Sequence, residues 1–371
     1  MFFKKVNKSS NKKRILVVPL DWGLGHATRC IPLIRELKAN GCEVIIAADH
    51  RVQSLLQHEF QQLTFLPLPG YQVNYSRSRR WLPFVILLQV PKILFHIYRE
   101  HNWLKKVEKE FSLDAVFADN RFGLFHKQIP CIYITHQLLI KTGNAISERI
   151  ARKIHYWFIN KYTTCWVPDF EGQENIAGEL SHPGLLPPHV NYIGGLSRFN
   201  QKVVEKKYDL LIVISGPEPQ RTIFEKILIK QLQHYRGMVM FVRGLPDMKE
   251  YQDLRMLMSA KNIQIKNHLT AIELNEAILQ ADCVISRSGY TSIMDLLKLN
   301  KKAILVPTPG QTEQEYLARH MMDRHYFYAV NQDDFVLDTV LQSANNFHFA
   351  TPSFDMELYK SKVQQFVQEL Q

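Results

Sequence analysis

Short, almost wholly apolar runs alternate along this chain with amphipathic stretches, the pattern of parallel strands buried on both faces and helices buried on one. The run from Arg14 to Leu20 predicts a first strand, followed by the loop Asp21-Trp-Gly-Leu-Gly-His-Ala-Thr-Arg29 and a helix ending at Asn40-Gly41, where glycine supplies the left-handed stop. Pro32 suits a helix only within its first turn, so the loop is expected to run long and the regular helix to begin near that proline. Further strands are expected at Glu43 to Ala48, Ala115 to Ala118, Cys131 to Ile134 and Asn191 to Ile193. After a polar stretch from Ser197 to Lys207 the pattern restarts, with a strand Asp209 to Ile214 and the loop Ser215-Gly-Pro-Glu-Pro-Gln-Arg221. Val284 and Ile285 run into a Ser288-Gly289 corner, and Ala303 to Val306 form the next strand. Phe354 to Gln371 reads as one amphipathic helix, with Leu358, Val363, Phe366 and Leu370 on its apolar side.

This pattern predicts an α/β chain of two Rossmann-like, doubly wound domains. Their expected limits are a basic tail at 1–14, a first domain at 15–196, a linker at 197–207, a second domain at 208–350 and a closing helix at 351–371. A length of 371 residues, 46% of them hydrophobic and 22% charged, supplies enough apolar surface for two cores. No run of about 18 apolar residues is present, which argues against a membrane span, and 1–14 lacks the apolar core of a secretory signal. Five scattered cysteines without a Cys-x-x-Cys pair suit reduced thiols in a cytoplasm and argue against zinc.

The net charge of +11 is local. Residues 1–14 carry six basic and no acidic side chains, and 77–109 carry eight basic and two acidic, so these blocks hold +6 each and leave −1 for the rest. That distribution, without a helix-turn-helix or RNA-binding signature, excludes a nucleic-acid binder. The second block surrounds an apolar run, Trp81 to Tyr98, interrupted by Pro83, Gln89, Pro91 and Lys92. Trp81, Phe84, Ile93, Phe95 and Tyr98 among Arg77, Arg79, Arg80 and Arg99 suit a segment lying on an anionic membrane surface. Ile93, Ile97, Leu104, Val107 and Phe111 also follow helical spacing, as a core helix would, and one helix can use both faces.

The chemistry concentrates after strand ends. The corner Ser288-Gly289-Tyr290-Thr291 places backbone N–H groups at a helix start, an arrangement that binds phosphate or diphosphate. Asp295, one turn on, is within reach of a ribose, and Gln314 on the following helix within reach of a sugar hydroxyl, which together imply a nucleotide-sugar site. An ordinary βαβ unit whose glycine only turns the chain gives the same corner. In the first loop, Gly23-Leu24-Gly25-His26 lacks the third glycine of a dinucleotide fingerprint, since Thr28 stands there, so no nicotinamide cofactor is expected. An imidazole in that loop can take a proton from an attacking hydroxyl, with Asp21 and Arg29 flanking it.

Arg287-Ser288-Gly289, Asp295 and the pair Glu313-Gln314 resemble the C-terminal half of the MurG-type UDP-N-acetylglucosamine transferases, of glycosyltransferase family 28. Asp295 stands where that family usually has Glu, and Glu313 where it has the first of two Gln residues. The resemblance implies a GT-B architecture in which the strand-to-helix loops of both domains face one cleft and the last helix packs back on the first domain. It implies donor contacts from Arg198 in Gly194-Gly-Leu-Ser-Arg198, from Ser215-Gly216, and from Arg287, Ser288, Gly289, Tyr290, Thr291, Asp295, Glu313 and Gln314. It also implies His26 in the glycine-rich turn Gly23-Leu24-Gly25-His26 as general base and His136-Gln137 at an acceptor motif; Asp119, which follows the strand Ala115 to Ala118, is a further catalytic candidate with His136, though either residue can simply cap a loop, and Asp21, Gly23, Gly25, Arg29 and Gln137 are candidates to bind or orient the acceptor. His136-Gln137 stands where the family carries His-Glu-Gln, and the missing Glu implies a changed acceptor.

No Asp-x-Asp pair or histidine cluster has metal-ligand spacing, so neither a metal nor another cofactor is expected. The expected activity is transfer of a hexose or N-acetylhexosamine from a UDP-sugar to a hydroxyl acceptor, lipid-linked, with inversion, by an enzyme peripheral to the inner face of the cytoplasmic membrane. A nucleotide-sugar hydrolase, a 2-epimerase of the same fold, or a non-catalytic nucleotide-sugar binding module stand as alternatives.

Overall fold

The computed structural model describes residues 12–21, 24–71, 82–142, 144–245 and 260–370. The chain divides into two compact units, Met1–Leu196 with Phe354–Gln371, and Ser197–Ser353.

Unit 1 runs β1 (Arg14–Val18), α1 (Leu24–Ala39), β2 (Glu43–Ala48), α2 (His50–Glu59), β3 (Thr64–Pro67), α3 (Leu82–Phe111), β4 (Ala115–Asp119), β5 (Cys131–Ile134), α4 (Ala145–Ile159), β6 (Thr164–Val167) and β7 (Val190–Tyr192). The strands form one parallel sheet in the order β3-β2-β1-β4-β5-β6-β7. The order reverses between β1 and β4, where Ile15 pairs with Ala115 and Val18 with Ala118. Every residue of both strands is buried, as their unbroken apolar runs require when helices cover both faces.

Helix α1 corrects one expectation. It begins at Leu24 and carries Pro32 well inside, so the loop before it is short. The proline removes one helical N–H, but Ala27, Cys30, Ile31, Leu33, Ile34 and Leu37 are all buried, and that packing outweighs the lost bond. The stop at Gly41 is as expected: its φ is +79°, and Cys42 N donates back to Leu37 O.

The last helix of the chain, α10 (Leu358–Glu369), packs on α1 within unit 1. Tyr359 and Val363 enter the core with Ile31 and Ile34, and Phe366 meets the Phe117 ring edge-on at 5.2 Å. Gly194, at φ +79°, lets this segment approach closely, because a Cβ there would come within 2.8 Å of Leu358 Cβ.

Helix α3 uses two faces. Ile97, Leu104, Val107 and Phe111 are buried at the helical spacing read from the sequence, whereas Leu94, Phe95 and Tyr98 are exposed. Its middle is fixed by a buried ion pair, Glu100 Oε1 with Arg121 Nη1 at 2.8 Å, to which Tyr71 donates its hydroxyl at 2.8 Å and Gly123 its N–H at 3.1 Å. Among the described residues no helix is long and apolar enough to cross a membrane. Arg77, Arg79, Arg80, Trp81, the side chain of Phe84 and residues 1–11 of the basic tail lie outside the described residues.

Unit 2 runs β8 (Tyr208–Val213), α5 (Gln220–Leu232), β9 (Val239–Val242), β10 (Ile263–Lys266), α6 (Ala271–Gln280), β11 (Ala281–Ser286), α7 (Tyr290–Lys298), β12 (Ala303–Leu305), α8 (Thr312–Asp323), β13 (Tyr328–Ala329) and α9 (Leu337–Asn346). Its parallel order, β10-β9-β8-β11-β12-β13, repeats the reversal of unit 1, now between β8 and β11, where Val213 pairs with Ser286. Each unit is thus a doubly wound sheet with one switch point, the place where such sheets bind ligands at strand carboxyl ends.

Candidate active site

In unit 1 the switch point holds four polar side chains that the sequence scatters over more than a hundred positions. Arg29, on the buried face of α1, donates Nε–H to Asp119 Oδ2 at 2.9 Å, and its Nη2 donates to Asp119 Oδ1. The same Nη2 lies 2.8 Å from His26 Nδ1, and Nη1 lies 2.6 Å from His136 Nδ1. His26 Nδ1 is also 3.2 Å from Asp119 Oδ2. Asp119 ends β4, His136 follows β5, and His26 and Arg29 share one side of α1 three residues apart.

Asp119 is fully buried, which by itself would raise its pKa; the charge of Arg29, then that of His26 and the hydrogen bonds from both, bring it down to about 2. It is therefore a carboxylate at any working pH. Cys30 lies against it, Sγ to Oδ2 at 3.8 Å, and burial pushes that thiol well up, with Asp119 adding to the rise.

The remaining unit 1 candidates fall apart from this group or only border it. The Asp21 carboxylate lies against Gly70, where a Cβ would come within 1.7 Å of Oδ2, and its buried Oδ1 has no hydrogen-bond partner. Gly25 accepts a bond from Thr28 Oγ1 at 3.0 Å, shaping the first turn of α1. Gln137 donates its backbone N–H to Thr135 Oγ1 at 3.1 Å. Gly23 lies outside the described residues.

In unit 2 the loops after β8, β11 and β12 carry the candidates. Helix α7 starts at Tyr290 behind Gly289, which makes no side-chain capping bond, and its N-terminal end carries the positive end of the helix dipole. Tyr290 is buried and Thr291 half-buried. Ser288 is buried and donates Oγ–H to Gln314 O at 2.8 Å; Gln314 Oε1 accepts from Thr308 N at 2.9 Å. These two bonds lock the β11 and β12 loops together. Glu313 is half-buried beside Gln314 near the start of α8. Ser215 is exposed, and Gly216 takes φ +113°, a conformation that favours glycine.

Asp295 sits one turn into α7, buried, and accepts from Ser197 Oγ at 2.6 Å, with Arg198 Nε at 3.6 Å from its other oxygen. Burial pushes its carboxyl up to about 6, against the opposing pull of Arg198 and the Ser197 bond. Two residues expected to meet a donor separately, Arg198 and Asp295, are therefore neighbours. Arg287 was expected to contact the donor. Its guanidinium is buried and donates to Val306 O, Pro307 O, Gln220 O and Gln332 Oε1 at 2.7 to 3.2 Å, so it braces the strand ends behind the loops. Burial lowers it to about 10.

Sequence reading missed Ser197 and Thr308. Thr308 is buried with an unpartnered Oγ1, 3.5 Å from where a Cβ on Gly216 would sit. It also missed α4, whose Ile146, Ile150, Ile154 and Trp157 are all exposed. Their spacing of four, four and three residues was the available signal. Leu94 of α3 joins Ile154, Trp157, Phe158 and Lys153 of α4 in one shallow apolar depression.

Residues 217–367 match the glycosyltransferase family 28 C-terminal domain. The chain is 23% identical over 341 residues, 87% of either chain, to the UDP-N-acetylglucosamine–N-acetylmuramyl-(pentapeptide) pyrophosphoryl-undecaprenol N-acetylglucosamine transferase of Staphylococcus aureus strain Newman, and equally to that of strain bovine RF122 / ET3-1. Among solved structures it is similar to the kitacinnamycin glycotransferase (TM-score 0.63, 14% identity, 97% of this chain and 96% of that one). MurG of Acinetobacter baumannii also matches (TM-score 0.54, 14% identity, the same coverage). The chain thus has the GT-B fold, carries a glycosyltransferase family 28 C-terminal pattern over 217–367, and resembles the MurG-type transferases along most of its length.

Proposed function

We propose that this protein transfers a hexose or N-acetylhexosamine from a UDP-sugar to a hydroxyl of a lipid-linked acceptor, without a metal and with inversion. The observation that carries the reading is the contact of His26 Nδ1 with the buried Asp119 carboxylate. With the proton on Nδ1 facing Asp119, Nε2 keeps a lone pair and serves as general base, and the carboxylate stabilises the imidazolium that forms. The acceptor O–H proton passes to His26, its oxygen bonds the anomeric carbon, and the bond from that carbon to the diphosphate oxygen breaks. UDP leaves with its charge met by the N-terminal end of α7 and by Arg198, while Asp295 accepts from the ribose hydroxyls and Gln314 stands near the sugar.

The exposed faces of α3 and α4 support a lipid-linked acceptor. Leu94, Phe95, Tyr98, Ile150, Ile154 and Trp157 are apolar and exposed, with Arg99, Arg149 and Lys153 exposed among them and Lys161 Nζ 3.8 Å over the Trp157 ring. In this reading the surface seats the enzyme on anionic lipid at the inner face of the cytoplasmic membrane. Sedimentation with anionic vesicles should fall severalfold when Ile150, Ile154 and Trp157 are changed together to Ser, and should weaken as salt rises. Equal sedimentation of both proteins would remove lipid from the reading.

The activity itself is tested by incubating the protein with a panel of nucleotide sugars, with and without lipid extract, and following nucleoside diphosphate release. Release that requires the extract supports transfer. Equal release without it makes the protein a hydrolase, and binding without release makes it a sensor.

A further inference from the structure

We propose that the buried Arg287 carries an uncancelled positive charge behind the three loops that seat the donor, and that this charge holds the diphosphate and favours its departure without touching it. The inference rests on the proposed transfer and deepens it, by adding a residue that acts through the field of the site rather than through a contact.

Arg287 follows Ser286, the last residue of β11, and its guanidinium turns back to the ends of the neighbouring elements. Nη1 donates to Val306 O and Pro307 O, each at 3.2 Å, just past β12, and Nη2 to Gln220 O at 3.1 Å, at the first residue of α5. The loops after β8, β11 and β12 therefore converge on one cation at the switch point of unit 2. Nη2 also donates to Gln332 Oε1 at 2.7 Å, and the Phe224 ring lies 4.5 Å from the guanidinium carbon. All of these partners are neutral. Among the described residues no carboxylate pairs with Arg287, and its buried Nε has no hydrogen-bond partner. Other arginines of unit 2 are compensated: Arg198 has Asp295 at 3.6 Å, Arg221 pairs with Glu218 and Glu225, and Arg243 with Glu225. Burial lowers Arg287 only to about 10, so it stays ionised at neutral pH.

A buried cation without a counterion is costly to keep, and an anion arriving at these loops offsets that cost. The same loops hold a buried hydroxyl without a partner, Thr308 Oγ1, one residue past Pro307, which a ligand oxygen would satisfy. The charge also bears on the reaction. When the bond from the anomeric carbon to the diphosphate oxygen breaks, its electron pair stays on the diphosphate, which gains one unit of negative charge. A fixed positive charge stabilises that state more than the intact donor, so it lowers the barrier as well as tightening binding. Burial keeps the field strong, because water and salt screen it little.

Gln332→Glu tests this with Arg287 and its fork left in place, because it sets a carboxylate where the amide oxygen now accepts from Nη2. The Gln220 amide, which accepts from Gln332 Nε2 at 3.1 Å, can turn to donate to the new carboxylate. Calorimetry of the full chain with uridine, UMP and UDP, whose negative charge rises in that order, reads the effect. The variant should bind UDP about tenfold more weakly, lose less with UMP, bind uridine as the wild type does, and melt no lower than the wild type. Arg287→Gln should show the same graded loss with a lower melting temperature, since it also gives up the bonds to the strand ends. Equal UDP affinity for Gln332→Glu and the wild type overturns the proposal. So does a loss as large for uridine as for UDP, which would make Arg287 a brace of the loops and nothing more. If the wild type binds no nucleotide, the proposed donor fails, and inorganic pyrophosphate in the same comparison still decides this point: weaker binding by Gln332→Glu upholds the charge, whereas equal binding, or none to either protein, sinks it.

Discussion

His26→Ala is expected to lower turnover about a hundredfold or more while nucleotide affinity stays nearly unchanged, because His26 lies in unit 1 and, in the proposed transfer, takes part only in proton removal. Asp119→Ala should also abolish most turnover, for a different reason and with a second symptom. Asp119 is paired with Arg29, and both are buried. Removing one partner of a buried pair leaves the other charge uncompensated, at a cost of about 3–5 kcal/mol. Thermal unfolding separates the two variants, since His26→Ala should melt close to the wild type and Asp119→Ala far below it. Asp119→Asn, which keeps the shape and one acceptor, should recover part of the stability but little turnover, because the neutral amide stabilises an imidazolium poorly. An Asp119→Ala protein with normal turnover would remove the carboxylate from the mechanism, and a His26→Ala protein with normal turnover would remove the base.

The acid side of the same pair has a defined sign. Asp119 lies below its ordinary value in the folded state, so its contribution is present above the unfolded value of 3.8 and is lost as pH falls toward about 2. At neutral pH the whole of it remains.

Much of this was legible in the chain because parallel strands buried on both faces leave continuous apolar runs, and β2 and β5 have the limits those runs indicate. The glycine stop at Gly41 was legible for a local reason, since only a left-handed residue ends α1 there. Pro32 misled because the rule against proline inside a helix is local, while the packing that overrides it is tertiary. The site shows the same division. His26, Arg29, Asp119 and His136 were each visible as polar residues after or near strand ends, but their meeting depends on β1 lying beside β4 and β4 beside β5, which no local pattern encodes. Arg-Ser-Gly marks a loop without saying which way its arginine turns; the Arg287 side chain runs back under the strand ends to carbonyls that are 19, 20 and 67 positions away. The exposed stripe of α4 was readable at helical spacing, yet spacing alone gives the same answer for a core-facing helix.

Asp295 should make both stability and nucleotide binding depend on pH, in opposite directions. Its carboxyl is raised to about 6 from 3.8, first by burial, so the neutral form suits the folded protein better than the ionised one. The stability it contributes is fully present below 3.8 and is lost as pH rises through about 6; the full loss is about 3 kcal/mol. Asp295→Asn has no proton to lose and can still accept from Ser197, so it should melt higher than the wild type above that window and show a flatter profile within it. Nucleotide binding runs the other way. Ribose hydroxyls donate to a carboxylate more strongly than to a neutral acid, so UDP should bind the wild type more tightly as pH rises through the same range. Asp295→Ala should weaken UDP by about 1.5 to 3 kcal/mol, the value of a hydrogen bond to a charged group. Calorimetry of unfolding and of UDP binding across this pH range measures both. A wild-type melting temperature that climbs through the window would reverse the sign of the burial effect, and equal UDP affinity for wild type and Asp295→Ala would take the ribose away from Asp295 and leave it as the anchor of Ser197 and Arg198.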